Sequence, residues 1–456
     1  MTILLFTVMI LTEAAFVVSG FTGTTEKREW NKKRLLVNVT ELAAFAVMLL
    51  LPGMDLSFRF LGMAVLLLIR SLAAGLGFLI GKSSTAHKSR PGMIVSCLLS
   101  VALFAFALTP AFLFKSYESR PLTGSYTPVS CTAILTDASR TEQFEQDGSF
   151  REIPVHIFYP AEADGIADHS LPLVFFSHGA FGWYESNLSA CLELASNGYV
   201  VVSMEHPYHS LFTKDTSGSL ITADKTFLQE VMTISNSDYQ ATERYAVFET
   251  ECAWIRLREA DMNFAVDTLR TASETQDFAA WTFTEGEPAQ FETAMRLIDT
   301  DQIGLMGHSL GGATAVTVGR RDDIAAVIDI DGTMIGEQVD FADGKYVINE
   351  TPYTTPLLVI DNEESHFEVI EAVESGYVYA DTVVLDHAEH AYQTYFTGAG
   401  HMNYTDLPLI SPFLAKKLGT GEIDPEQCTD TLNALILDFF NCTLKGQGEF
   451  SVQESY

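Results

Sequence analysis

The stretch "IGLMGHSLGGATAV", residues 303–316, predicts a buried strand, a sharp turn and a helix in direct succession. Ile303 and Leu305 belong to the apolar strand, and a helix of small residues begins near Leu310. Between the two, a G-x-S-x-G pattern puts Ser309 at the turn and holds its hydroxyl away from the backbone. The flanking glycines carry no Cβ atom that would collide in so tight a turn. The stretch therefore predicts an exposed, nucleophilic serine.

Apolar runs of strand length recur through the rest of the chain, and helix-like segments such as 185–197 and 251–273 separate several of them. This alternation predicts an α/β fold with a mainly parallel sheet covered by helices on both faces. Ligands of such sheets bind beyond the carboxyl ends of the strands, where Ser309 is expected. The strand-like runs are 155–160, 171–179, 198–207, 303–309, 324–332, 356–364 and 382–390.

Charge and hydropathy divide the chain unevenly. Residues 1–120 carry 12 basic and 6 acidic side chains, which leaves 15 basic and 53 acidic ones, a net charge of −38, in residues 121–456. So acidic a body argues against nucleic acid as a partner and against docking on anionic lipid by charge alone. Mean hydropathy is +0.15 because residues 1–115 are far more apolar than the rest.

Four apolar stretches open the chain, each close to the ~20 residues that a helix needs to cross a bilayer. The first is read as a retained span because it lacks a basic leader and contains Glu13. Basic residues in the first and third loops predict that these loops are cytoplasmic, so the N-terminus and the C-terminal body lie outside the cytoplasm. The stretches are 2–21, 34–52, 59–81 and 92–114; the basic residues are Lys27, Arg28, Lys32, Lys33 and Arg34, then Lys82, Lys88 and Arg90.

The predicted organisation is a four-span transmembrane region at 1–115, a linker at 116–130 and a catalytic domain at 131–456 with a helical insertion at about 208–300. Within the spans, Glu13, Glu41 and Arg70 are costly unless paired. We expect an Arg70–carboxylate pair that holds the bundle together; a site for a lipid headgroup or an ion is the alternative.

Five of the six cysteines follow the predicted spans, where a disulfide such as Cys428–Cys442 is permitted. No C-x-x-C spacing occurs, so the sequence gives no support for zinc.

A nucleophilic serine needs a histidine base and a carboxylate that orients the base, in the chain order serine, acid, histidine for this type of sheet. His401, in the glycine-rich loop "FTGAGHMNYTD", is the favoured base, with His390 as the fallback. Asp331, beside Gly332 at a strand end, is the favoured acid. Asp361 and then Asp329 remain alternatives.

Stabilising an oxyanion takes two backbone N–H groups. One is the N–H that follows the nucleophile, on Leu310. The stretch "FFSHGAFGW" supplies the second, because its strand runs into a turn where the N–H of Ala180 faces the substrate oxygen. His178 either organises this loop or touches substrate.

The blocks "PLVFFSHGAFG", "LASNGYVVVSMEHPYHS", "IGLMGHSLGGATAV", "VIDIDGTM", "TPLLVIDNEE" and "GAGHMNYTD" together resemble the platelet-activating-factor acetylhydrolase family of serine esterases, in its plasma and type II branch. The resemblance covers about residues 122–445 and implies an α/β-hydrolase fold. It implies Ser309 as nucleophile, Asp331 as acid and His401 as base, with the oxyanion donors on Ala180 and Leu310. The four N-terminal spans depart from the family pattern, and so does alanine in "HGAFG", where some members have leucine.

These observations predict a membrane-tethered serine ester hydrolase that needs no metal or organic cofactor. The expected substrates are short-acyl or oxidised phospholipids or other small acyl esters, with polyester-like esters as an alternative. Aromatic residues of the insertion are candidates for the acyl site: Phe212, Phe227, Tyr239, Tyr245 and Phe248. The rival hypothesis is a membrane sensor whose hydrolase-like domain only binds a ligand.

Overall fold

The chain folds into two compact units. The first comprises Met1–Glu118 with Leu409–Leu414, and the second comprises Ser119–Pro408 with Ala415–Tyr456; we call them the helical unit and the sheet unit. The computed structural model describes residues 1–22, 26–52, 54–80, 87, 89–117, 119–235 and 241–456. Lys82, Lys88 and Tyr239 lie outside the described residues.

Within the described residues, the N-terminal part of the helical unit contains five helices. Three of them are long and apolar enough to cross a membrane, namely α1, α3 and α4, and they suggest membrane association. Each is nearly uniform in apolar side chains, as a helix that faces lipid must be. The helices are α1 (Thr2–Thr22), α2 (Lys27–Met48), α3 (Phe58–Ile80), α4 (Arg90–Ala107) and α5 (Thr109–Leu113).

The prediction of a membrane span at 34–52 is corrected by the structure, because the helix there, α2, is not among the candidate spans. The helix begins at Lys27, so its first two turns carry the basic residues that the sequence assigned to a loop. Asn38 and Glu41 then interrupt its apolar half. Three apolar helices, rather than four, are therefore the membrane-spanning candidates among the described residues.

The charged residues of these helices meet inside the helical unit. Glu13 is fully buried and pairs with both Arg70 and Arg34, the latter at 2.5 Å. Arg70 also lies 3.8 Å from Glu41. Opposite charges that meet in this way remove much of the cost of placing them away from water.

The sheet unit is built on a nine-stranded sheet in the order β13-β12-β9-β8-β3-β4-β2-β1-β7. Neighbouring strands run parallel from β13 to β4, and β2, β1 and β7 continue the sheet antiparallel. The strands of this sheet are β1 (Pro128–Thr141), β2 (Phe150–Pro160), β3 (Leu171–Ser177), β4 (Val200–Met204), β7 (Trp281–Glu285), β8 (Ile298–His308), β9 (Ala326–Ile330), β12 (Leu357–Asn362) and β13 (Ala391–Phe396).

Helices cover both faces of this sheet, as the apolar character of its strands requires. One layer of the core joins the sheet to α8, α9, α10 and α12, and the other joins it to α6 and α15. The remaining elements are α6 (Leu188–Ser196), β5 (Phe212–Lys214), β6 (Leu220–Thr222), α7 (Lys225–Ile234), α8 (Ala241–Thr275), α9 (Pro288–Leu297), α10 (Leu310–Val318), β10 (Gln338–Ala342), β11 (Lys345–Ile348), α11 (Glu363–Glu374), α12 (Ala380–Asp386), α13 (Leu407–Ile410), α14 (Pro412–Lys417) and α15 (Pro425–Lys445).

One predicted strand is wrong. The run at 382–390 forms helix α12, and the edge strand β13 follows it at Ala391–Phe396. Ala380 and Val384, four residues apart, are both buried, so the run packs with helical rather than alternating periodicity. The other six predicted strand-like runs each overlap a strand of the sheet.

The stretch at 208–300 contains α7, α8 and α9, but also the strands β5, β6 and β7. Helix α8 packs on the main core through Met262, Ala265, Val266, Leu269 and Ala272. The long helix therefore forms one layer of the fold as well as reaching towards the carboxyl edge of the sheet.

All six cysteines carry free thiols, so the permitted Cys428–Cys442 disulfide is not formed. The Cys428 thiol is buried against the Asn403 carbonyl, and the Cys442 thiol faces the Gly448 carbonyl.

Candidate active site

Ser309 lies in a strained turn between the end of β8 and the start of α10. Its backbone has φ 57° and ψ −127°, a conformation that is rare for a residue with a side chain. The Ser309 N–H donates to the Ile330 carbonyl at 2.8 Å, which fastens the turn to the end of β9. A Cβ atom on Gly311 would overlap the Ser177 carbonyl, so only glycine fits two residues after the serine. The turn has the geometry that the G-x-S-x-G pattern predicts.

The loop after β3 lies directly against this turn. A Cβ atom on Gly179 would stand 3.0 Å from the Ser309 Cβ, so a larger residue would fit only if its neighbours shifted. None of the described residues accepts a hydrogen bond from the N–H of Ala180. The N–H of Leu310 opens α10 and has no acceptor within the helix. Both predicted oxyanion donors are therefore available to a ligand.

Asp331 and His401 form a direct pair at 2.5 Å between Oδ2 and Nδ1. Asp331 follows β9 in a left-handed conformation, with φ 55°, that turns its side chain off the strand. Its side chain is 3% exposed, whereas that of His401 is 40% exposed. Because the carboxylate accepts the Nδ1–H, the Nε2 atom of a neutral His401 is left as the acceptor. The structure thus brings the favoured acid and the favoured base together.

Asn362 is a residue of the site that the sequence did not reveal. Its backbone N–H donates to the Asp331 carboxylate at 2.7 Å, and its side-chain amide donates to both carboxylate oxygens at 3.0 and 2.8 Å. Burial would raise the pKa of Asp331, but the hydrogen bonds from His401 and Asn362 outweigh it and hold the pKa below its usual value. The only sequence signal is its position at the end of β12, the strand next to β9.

The alternative acids have other partners. Asp361 lies 3.2 Å from the Nδ1 of His366 and accepts from Gln393 at 2.7 Å. Asp329 is fully buried, which raises its pKa well above the usual range, and Asp381 nearby adds to the rise. It accepts from the Gly332 N–H at 3.0 Å.

The fallback base His390 is exposed, and its carbonyl accepts from the N–H of Leu357 at 2.9 Å. None of these residues forms a hydrogen bond with His401.

His308, the residue before Ser309, supports the loop of the base. Its ring lies 4.6 Å from that of His401, and its Nε2 is 3.1 Å from the His401 carbonyl. Burial, with a smaller effect of His401, lowers the pKa of His308 to about 3, so the ring is neutral and donates Nε2–H to that carbonyl. The sequence offered no reason to single it out from the G-x-S-x-G pattern.

A second serine, histidine and aspartate lie behind the loop after β3. His206 Nε2 is 3.0 Å from the Ser177 hydroxyl, and its Nδ1 is 3.0 Å from Asp261. All three side chains are fully buried, and Arg151 holds Asp261 through two hydrogen bonds of 3.1 and 2.7 Å. We call Ser177, His206 and Asp261 the buried relay. Its strand-end residues fall within the quoted "SHG" and "MEHP" segments, but no spacing pointed to Asp261 on α8.

The sequence allowed His178 two roles, organising the loop or touching substrate. Its side chain is fully buried, and its Nε2 lies 2.8 Å from the Ser210 hydroxyl. It therefore organises the loop.

An apolar cluster adjoins the two predicted oxyanion donors. Its buried members are Phe227, Trp254, Ile255, Leu310 and Ala313, and Ala180, Phe181, Val231, Ile234 and Ile335 pack against them. Of the aromatic residues that the sequence proposed for an acyl site, only Phe227 belongs to this cluster among the described residues. Phe212 stacks on Trp183, and Tyr245 and Phe248 pack with Phe341.

Among the described residues, no group of three or more histidine, cysteine, aspartate or glutamate side chains has the arrangement of a metal site. The described polar groups next to the Ser309 turn are the Asp331–His401 pair and the His308 ring.

Known proteins share this arrangement of elements. A ferulic acid esterase from Streptomyces cinnamoneus superposes with a TM-score of 0.50 at 20% identity, over 73% of this chain and 94% of its own. This likeness supports the α/β-hydrolase fold. The platelet-activating factor acetylhydrolase of Gallus gallus is 23% identical over 295 residues, which are 62% of this chain and 64% of that relative. The Bos taurus protein of the same name is 25% identical over 292 residues, 62% of this chain and 60% of the relative.

The matched region spans less than two thirds of the length of either relative. The sequence profile of the family described as platelet-activating factor acetylhydrolase, isoform II, matches residues 159–455, well over half of the chain. The resemblance of the sequence blocks is thereby confirmed: the chain belongs to the platelet-activating factor acetylhydrolase isoform II family.

Proposed function

We propose that the chain is a serine hydrolase of carboxylic esters in which Ser309 is the nucleophile. The observation that carries the proposal is the hydrogen bond between Asp331 and His401 beside a serine in a strained strand–helix turn. A serine hydroxyl is a weak nucleophile, and an oriented imidazole is what activates it.

In the proposed reaction, the Ser309 oxygen attacks the acyl carbonyl while His401 takes the hydroxyl proton on Nε2. Asp331 keeps the ring in the tautomer that donates Nδ1–H and stabilises the imidazolium that forms. The N–H groups of Ala180 and Leu310 donate to the oxyanion. His401 then returns the proton to the leaving alcohol. Water, activated by the same histidine, releases the acid from the acyl-enzyme.

Short-acyl or oxidised phospholipids and other small acyl esters are the proposed substrates. The names of the acetylhydrolase relatives and of the ferulic acid esterase favour ester substrates. The apolar cluster around Phe227 and Leu310 offers a surface for a short acyl chain next to the oxyanion donors.

Fluorophosphonate labelling of the detergent-solubilised chain tests the nucleophile. We expect rapid labelling of the wild-type chain, none of Ser309→Ala, and undiminished labelling of Ser177→Ala, the matched variant of the buried serine. A panel of nitrophenyl esters of rising acyl length then defines the acyl preference. A folded wild-type chain that takes no label refutes the esterase and favours a ligand-binding sensor.

We infer further that the apolar helices tether the chain in a membrane with the sheet unit outside the cytoplasm. The support is the positive charge of Lys82, Lys88 and Arg90 just before α4, since such residues stay cytoplasmic and α4 then leads outward. Alkaline phosphatase fused after Arg120 should be active, and the same reporter fused after Ile80 should be inactive. The reverse pattern refutes this orientation.

A further inference from the structure

Arg258 is an unusual residue in the interior of the sheet unit. It lies on α8, its side chain is fully buried, and no carboxylate among the described residues forms an ion pair with it. The nearest acid along the helix, Asp261, is already held by Arg140, Arg151 and His206. A buried cation without a paired anion is costly, so its retention calls for an explanation in terms of what it contacts.

Its contacts are two successive peptides of the loop after β3. Nη1 donates to the His178 carbonyl at 2.5 Å, and Nη2 donates to the Gly179 carbonyl at 3.3 Å. Nε is held by the His209 ring at 3.3 Å, which fixes the plane of the guanidinium. The Gly179 carbonyl also accepts from the Gly182 N–H at 3.1 Å and lies 2.6 Å from the Nδ1 of His178. Among the described residues, the His178 carbonyl depends on Arg258 alone.

Holding these carbonyls also fixes the N–H groups of the same peptides. In a trans peptide the C=O and the following N–H point in opposite directions. The N–H groups of Gly179 and Ala180 therefore point away from Arg258. Gly179 also approaches Ser309 closely, with 3.0 Å between its virtual Cβ and the Ser309 Cβ.

The charge of Arg258 acts in the same direction as its geometry. Burial, partly offset by Asp261, lowers the pKa of Arg258 to about 9, so the guanidinium is still protonated at neutral pH. A cation on the carbonyl side of a peptide polarises it and makes its N–H a stronger donor. In a site of low dielectric constant, a fixed positive charge favours an anion that develops nearby.

We propose that Arg258 is a positioning residue for ester cleavage, which turns the peptides of His178–Ala180 so that the Ala180 N–H meets the oxyanion formed at Ser309. This inference rests on the proposed function, and it adds a group on α8 that touches neither substrate nor the reacting atoms. A purely structural arginine would affect the amount of folded chain but not the transition state.

The test compares Arg258→Gln and Arg258→Lys with Arg320→Lys in the full solubilised chain. Arg320 is a matched control because it also holds two backbone carbonyls, those of Thr351 and Pro352, but lies away from the loop. For each variant we would measure kcat and KM on a short-acyl nitrophenyl ester, the Ki of a short-chain trifluoromethyl ketone, and thermal unfolding. The ketone forms a hemiketal whose oxygen occupies the oxyanion position.

We expect kcat per folded molecule to fall about 100-fold in Arg258→Gln, since loss of one oxyanion donor has an effect of this order. Arg258→Lys should lose about tenfold, because an ammonium keeps the charge but cannot fork across two carbonyls. The Ki of the ketone should rise in step with the loss of kcat/KM, while KM stays within about threefold. Arg320→Lys should leave kcat and Ki unchanged.

Equal kcat values in the folded Arg258 variants and the wild type overturn the inference, and so does a loss confined to KM or an unchanged Ki. If Arg258→Gln does not fold, Arg258→Lys decides by the same criteria. A wild-type chain that neither cleaves esters nor takes the fluorophosphonate label overturns the proposed function itself. The two failures are therefore distinguishable.

Discussion

In the buried relay, Ser177, His206 and Asp261 form a continuous hydrogen-bonded series without any exposed side-chain surface. In the candidate active site, Asp331 is bonded to His401, whose side chain is 40% exposed. There the Ser309 hydroxyl has no partner among the described residues. The set with the more complete hydrogen bonding is thus the set that no substrate reaches.

On the proposed function, hydrogen-bond contact among a serine, a histidine and an aspartate is not sufficient to make the serine a nucleophile. Ser177 ends a regular strand and is buried, whereas Ser309 sits at φ 57° in a turn and is partly exposed. Burial, reinforced by the charge of Arg258, lowers the pKa of His206 to about 4, which makes it a poor base at neutral pH. Access and backbone strain separate the two sets.

The largest expected effect on kcat separates the two serines. Ser309→Ala should lower kcat by about 10⁵-fold, since removing the nucleophile leaves only binding and oxyanion stabilisation. Ser177→Ala should lower kcat per folded molecule by less than about fivefold, but it leaves His206 Nε2 unpaired and should cost about 1–3 kcal/mol of stability. Steady-state kinetics and urea unfolding of both variants provide the check. Equal losses of kcat would mean that the two serines act together.

The next effect concerns the acid. Asp331→Asn should lower kcat by about 10⁴-fold, because an amide in place of the carboxylate favours the wrong tautomer of His401. Asp361→Asn, at the end of the neighbouring strand, should change kcat by less than about fivefold because its partners are His366 and Gln393. Kinetics of the two variants decide between the acids. A larger loss in Asp361→Asn would assign the role to Asp361.

The pH dependence of the free energy of unfolding tests whether the fold keeps His206 of the buried relay neutral. The pKa of His206 falls from 6.5 to about 4 on folding, chiefly through burial. Between these values the unfolded chain binds a proton that the folded chain does not, so this group lowers the stability as the pH falls. In His206→Gln that dependence is absent. The stability deficit of the variant should therefore shrink by on the order of 1 kcal/mol per pH unit from pH 6.5 towards 4.

Urea unfolding at several pH values measures this change, and His390→Gln is the control because His390 is exposed. A deficit of His206→Gln that stays constant across the window would show that His206 is not held neutral by the fold.

The sequence predicted the local features of the site because local features carry their own constraints. The turn at Ser309 requires glycine at position 311, where the Ser177 carbonyl approaches closely. This requirement is visible in the sequence as the spacing of the G-x-S-x-G pattern. The loop at Ala180 was likewise predicted from a local pattern, a strand that runs directly into a turn in "FFSHGAFGW". The strands next to the serine were predicted from apolar runs that are buried on both faces.

What the sequence left open depends on contacts between distant elements. Asp331 and Asp361 close neighbouring parallel strands at the same edge of the sheet, and alternation alone cannot choose between them. The pairing of His401 with Asp331 rather than Asp361 follows from the left-handed backbone of Asp331 and from the approach of the His401 loop. Asp261 and Arg258 were unpredictable because a long helix places them behind the loop without any fixed spacing.

The smallest effect tests the hydrogen bonds behind the acid. Asn362→Ala removes two side-chain bonds to the Asp331 carboxylate, and such bonds to a charged group contribute about 1.5 kcal/mol or more, so kcat should fall about tenfold. Asn362 also caps α11 by accepting from the Ser365 N–H at 3.0 Å. Asn362→Ser is the matched control, because serine keeps the cap but cannot reach the carboxylate with an amide. Equal losses of kcat in the two variants would assign the effect to the Asp331 contact. Full activity in Asn362→Ser would assign it to the helix cap, and Asp331 would then be held well enough by His401 and the backbone N–H of residue 362.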